Sequence, residues 1–196
     1  MKATLASLFQ QSASRRIVFL AVLLCSLFSG GWAQSKPQTQ RKTLDQPTEI
    51  QGYPCAKGYA WFFADGRLNR CTVAKDTAIG DATIPAGSIV SLGEDGKPQF
   101  VFLSHDAKVA GVTCMGGSWL GPGEGASTAL YPSGELKECF LAGDQTVQGV
   151  PCMNGGILGD GLGSGAMFYE SGKLKSCKLT RDFGSHRKGE RFVQGQ

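Results

Sequence analysis

From Gly52 onward the apolar residues of this chain fall into columns. Counted from four glycines, Gly66, Gly96, Gly134 and Gly172, the residue four places earlier is Phe62, Leu92, Leu130 or Phe168. Five places later stands Cys71, Val101, Cys139 or Cys177, and seven places later Val73, Leu103, Leu141 or Leu179. Side chains two apart on an extended strand share a face, so these columns define an inward side. Thr72, Phe102, Phe140 and Lys178 lie between them and vary in character, as an outer face does. Asp65-Gly66, Asp95-Gly96, Ser133-Gly134 and Ser171-Gly172 separate the two extended runs of each copy, and such dipeptides supply the positive φ of hairpin turns. The pattern predicts an all-β fold: an antiparallel sheet of consecutive β-hairpin repeats.

Two copies align without a gap. Gly111 to Gln148 and Gly149 to His186 share the frame GV-C-M-G and then Y-SG-LK--C-L--D, offset by 38 residues. Self-similarity at a fixed period marks one supersecondary unit used repeatedly. With two weaker copies the units run 52–79, 80–110, 111–148 and 149–186, so 52–186 is expected as one four-unit domain.

The ends read differently. Arg15 and Arg16, an apolar run from Ile17 to Phe28 and the small residues up to Ala33 form a cleaved secretory signal over 1–33, too short in its apolar part for a span. Residues 34–51 are polar and expected as a disordered linker, and 187–196 as a basic tail. Removing the signal takes Lys2, Arg15 and Arg16 and leaves 17 basic against 16 acidic side chains. A near-neutral chain lacks the basic excess that phosphate binding needs, so nucleic acid is not expected as a partner. The expected location is the periplasm or the extracellular space, with no transmembrane span in the mature chain.

Export gives meaning to the cysteines. Beyond the signal there are six, Cys55, Cys71, Cys114, Cys139, Cys152 and Cys177, an even count that reads as disulfides. The second copy has Thr83 and Val101 at the cysteine positions. Losing both together leaves no orphan thiol only if each pair lies within its own unit. The economical pairing is therefore Cys55 with Cys71, Cys114 with Cys139 and Cys152 with Cys177.

Tyr131-Pro132-Ser133-Gly134-Glu135-Leu136-Lys137 and Tyr169-Glu170-Ser171-Gly172-Lys173-Leu174-Lys175 resemble the Y-x-x-G-K-L-K frame of bacterial variant MORN-type repeats. The resemblance implies consecutive hairpins in an elongated or curled antiparallel sheet and a role as an interaction or scaffold module. Paired cysteines and long glycine-rich insertions depart from that frame.

Catalytic chemistry finds little support. The only histidines are His105 and His186, and there is no C-x-x-C or H-E-x-x-H frame for zinc or redox work, so no cofactor or metal site is expected. An aspartate follows each index glycine by ten residues, Asp76, Asp106, Asp144 and Asp182; a turn-forming role suits them, and calcium is the alternative. The insertions 116–127 and 154–165 carry Trp119 and Leu120, with Ile157 and Leu158 at equivalent places, beside Glu124 and Asp160. Loops on a rigid frame are common contact sites, so these six are the candidate binding residues for an envelope protein or polymer. The expected function is an exported binding or scaffold module. Its rival is a small secreted enzyme acting on glycan or cell wall through loop carboxylates.

Overall fold

The computed structural model describes residues 39–117, 126–155 and 165–195. In chain order their strands are β1 (Thr39–Leu44), β2 (Thr48–Ile50), β3 (Tyr53–Phe63), β4 (Leu68–Val73), β5 (Thr77–Ile79), β6 (Ala82–Ile84), β7 (Ile89–Leu92) and β8 (Pro98–Phe102). There follow β9 (Ala107–Val109), β10 (Val112–Cys114), β11 (Thr128–Leu130), β12 (Leu136–Cys139), β13 (Gln145–Val147), β14 (Val150–Cys152), β15 (Ala166–Phe168), β16 (Leu174–Lys178) and β17 (Arg191–Val193). The chain is all-β. One antiparallel sheet runs β1-β3-β4-β7-β8-β11-β12-β15-β16-β17 with β2 also on β3, and three two-stranded ribbons, β5–β6, β9–β10 and β13–β14, lie between its successive hairpins.

The four sheet hairpins share one turn. Phe63, Gly93, Tyr131 and Tyr169 each donate their N–H to the carbonyl four residues on and accept from the index glycine. Positive φ falls on Gly66, Gly96, Gly134 and Gly172 alone, not on the Asp or Ser before them. The loop is thus three residues long with the glycine as its bulge, and the register shifts beside each turn accordingly. The two-residue turns belong elsewhere: Ala110-Gly111 and Gln148-Gly149, both residues at positive φ, close the ribbons β9–β10 and β13–β14.

The columns form the core. Cys71, Val101, Cys139 and Cys177 are buried with Val73, Leu103, Leu141 and Leu179, and ribbon residues Ile79, Ile84, Val109, Val112, Val147 and Val150 pack into the same cluster. Three disulfides have Cα atoms 5.7 Å apart: Cys114–Cys139 and Cys152–Cys177 each join a ribbon strand to the sheet, and Cys55–Cys71 joins the sheet neighbours β3 and β4. The pairing within units is as expected. The second copy is corrected by one place. Cys114 lies opposite Ala107 and Cys152 opposite Gln145, and the residue in that register on β6 is Ile84, opposite Thr77. Thr83 faces solvent while Ile84 is fully buried. The turn glycine, Gly80, sits one position earlier in its turn than Gly111 or Gly149 does, so a fixed distance from the glycine falls one residue short on β6.

Two further expectations give way. The polar stretch 34–51 contains β1 and β2, and the basic tail 187–196 contains β17. A polar edge strand carries no hydrophobic alternation, since its ladder is held by backbone bonds and its side chains are exposed. What docks β1 is its register on β3, Thr39 to Leu44 against Phe63 to Gly58, with Arg41 over the Tyr59 ring at 4.4 Å and Lys42 over Phe62 at 4.9 Å.

Candidate functional site

The disulfide columns fix which side of the sheet faces inward, so the alternate residues must face out. Cross-strand partners trace one outward line: Arg41, Trp61, Arg70, Ser91, Phe100, Ala129, Glu138, Met167, Ser176 and Val193. Two places along, and on the same face by strand parity, lie Tyr59 and Phe102. Four of the outward rings lie on β3 and β8, toward one end of the sheet, and Phe140, two residues past Glu138, is a half-buried ring of the same parity. Tyr59 and Phe100 are exposed to 54% and 43%, while Trp61 and Phe102 are half-buried.

Arginines interleave with these rings. Arg41 lies over Tyr59, and Tyr59 meets Trp61 edge-on at 6.5 Å. The Arg70 guanidinium sits 5.4 Å from the Trp61 ring and 5.2 Å from the Phe102 ring, reaching across the small Ser91 on the strand between. Its Nε is buried without a hydrogen-bond acceptor, and among the described residues neither Arg41 nor Arg70 has an ion pair. A buried unsatisfied donor costs about 1–3 kcal/mol, here offset by the two ring contacts. The arrangement is a set of flat apolar surfaces with one planar cation, Arg70, between them and a second, Arg41, at the sheet edge.

Elsewhere polar groups are committed to the fold. Asp76, Asp106 and Asp144 each accept a hydrogen bond from the N–H ten residues on, at Ala86, Gly116 and Asn154, closing the base of a ribbon. Asp182 accepts from Lys188 N–H at 2.8 Å and from Arg187 at 3.1 Å; these bonds, the backbone one foremost, hold its carboxyl below the usual aspartate range. Asp65 is lowered likewise by Arg67. His105 Nδ1 lies 3.0 Å from Ser104 Oγ, but Ser104 gives its one proton to the Ala86 carbonyl at 2.9 Å.

Of the residues singled out from the sequence, the six cysteines are brought together in pairs. Trp119, Leu120, Glu124, Ile157, Leu158 and Asp160 lie outside the described residues. The outward face was missed, although a signal existed: Tyr59 and Trp61, and Phe100 and Phe102, are aromatic pairs two apart, opposite in parity to the core columns. Arg41 was discounted with its polar segment.

No protein-family model, curated protein or solved structure matches the chain. The fold and the face together define an all-β, disulfide-stapled protein with an aromatic and cationic sheet surface. Its disulfides belong to an oxidising environment. Among the described residues no helix is long and apolar enough to cross a membrane.

Proposed function

We propose that this chain is an exported binding or scaffold module of the cell envelope or extracellular space, and that its main contact surface is the outward face of β3, β4 and β8. The observation that carries this reading is Arg70, held between Trp61 and Phe102 on the side of the sheet opposite the disulfides. Stability gives little reason for it: the cost of a buried, unpaired Nε roughly cancels the gain from the two ring contacts, a net that threonine on the strand would match, and aromatic and arginine side chains are the anchors that interfaces favour. The likeness of the hairpins at Gly134 and Gly172 to MORN-type repeats supports a scaffold role. The glycine-rich segments 116–127 and 154–165, with Trp119, Leu120, Glu124, Ile157, Leu158 and Asp160, supply a second contact.

Hydrogen exchange on the oxidised protein, with and without a cell-envelope extract, tests this. Slower exchange in β3, β4 and β8 supports the face. Protection confined to 116–127 and 154–165 would move the contact to the loops, and no protection anywhere would overturn the reading.

A further inference from the structure

We infer that the outward face takes an acidic polysaccharide, one in which charged and neutral sugars alternate; this rests on the reading of that face as the contact surface. Four rings, Tyr59, Trp61, Phe100 and Phe102, offer flat apolar surfaces, and sugar rings present flat faces of C–H groups that pack on them. Arg70 stands between two of these rings and Arg41 lies over Tyr59 from the edge strand β1, and both guanidinium groups match a carboxylate bidentately and keep their charge at any physiological pH. Cross-strand spacing of about 4.8 Å puts Trp61 and Phe100, three strands apart, about 14 Å from each other, a span that addresses several units of a chain rather than one small molecule.

The proportion of rings to charges selects among polymers. Four rings to two cations suits a polymer with fewer charges than rings. A single-stranded nucleic acid brings one phosphate per base and would be matched by a denser set of cations than Arg41 and Arg70. An acidic peptide brings carboxylates without flat rings to stack. Among the described residues neither cation has an ion pair, and the one carboxylate on the same cross-strand line is Glu138, two strands beyond Phe100 and on the far side from Arg70.

Titration of the oxidised full chain with hyaluronan, in which glucuronate alternates with a neutral sugar, tests the inference by Trp fluorescence and calorimetry. Carboxyl-reduced hyaluronan, polyglutamate and oligo-dT serve as comparisons. Binding to hyaluronan should exceed binding to the other three by about tenfold or more and weaken as salt is raised. Arg70→Gln and Phe100→Ser should each lower it by about tenfold with the melting transition kept, and Arg70→Lys should lower it less than Arg70→Gln. Arg41→Gln, at an exposed edge, provides a variant whose folding is not in question, and should show a loss of the same kind. Equal binding of the carboxyl-reduced polymer or of polyglutamate, tighter binding of oligo-dT, or no binding by folded protein would each overturn the polysaccharide. If exchange protection by envelope extract still maps to β3, β4 and β8 in that event, the contact surface stands and only its ligand class has failed.

Discussion

Ile84 and Val101 hold, by packing alone, the place that a disulfide holds in the other three hairpins. Both are fully buried, and Ile84 stands in the register of Cys114 and Cys152. Replacing the pair by Ile84→Cys with Val101→Cys is expected to create a fourth disulfide, detectable by non-reducing peptide mapping. Thr83→Cys with Val101→Cys should leave two free thiols, because residue 83 points to solvent. The index glycines offer a second test at this scale. Gly134 and Gly172 both have positive φ, 93° and 76°, so alanine is strained at either by about 1–2 kcal/mol. Only at Gly134 is there no room: a Cβ would come within 2.8 Å of the Gly80 backbone, whereas at Gly172 nothing lies within 4 Å. Gly134→Ala should therefore destabilise clearly more than Gly172→Ala in denaturant melts.

Within each hairpin the inward columns carry the stability and the outward ones the surface chemistry. Leu141→Ala and Leu179→Ala, each opening a hole in a fully buried position, should cost about 2–5 kcal/mol. Lys137→Ala and Lys175→Ala remove exposed or half-exposed cations lying 5.7 Å from Tyr131 and 5.6 Å from Tyr169, and should cost no more than about 1 kcal/mol. These two columns were legible in the sequence, because period-two burial leaves a period-two pattern. The edge elements were not. In β1 and β17 the backbone ladder does the holding, and a ladder leaves no trace in side-chain polarity. The turn between β16 and β17 depends instead on Asp182, whose carboxyl is lowered by the Lys188 N–H and the Arg187 side chain. A lowered folded value means the contribution is present above the ordinary aspartate value of 3.8 and is lost as pH falls through the folded one. Protection of the Arg191–Val193 amides, relative to their intrinsic exchange at each pH, should thus fall below about pH 4, and Asp182→Asn should remove that pH dependence.

Across the molecule the hairpins form a line in which each pairs with the next, so cohesion is local and the staples act one unit at a time. The disulfides close separations of 16, 25 and 25 residues, for which the chain-entropy model gives about 3 kcal/mol each. Selective loss through Cys152→Ser with Cys177→Ser should lower the denaturation midpoint and speed exchange first in β13–β16, leaving β7 and β8 slow. Uniform acceleration throughout would show that the line unfolds as one piece. The all-β class, the hairpin turns at Gly66, Gly96, Gly134 and Gly172 and the pairing of six cysteines were determined by the sequence itself, since each rests on relations a few tens of residues long: parity along a strand, positive φ at a glycine, and joint loss of a cysteine pair. Tertiary structure alone decided that Ile84 rather than Thr83 replaces a cysteine, that a polar segment becomes the edge strand β1, and that Arg41, Trp61, Arg70 and Phe100 meet on one face. Those facts depend on register between strands, and register is set jointly by the hydrophobic patterns of both strands and the geometry of the turn between them, which one strand read alone does not give.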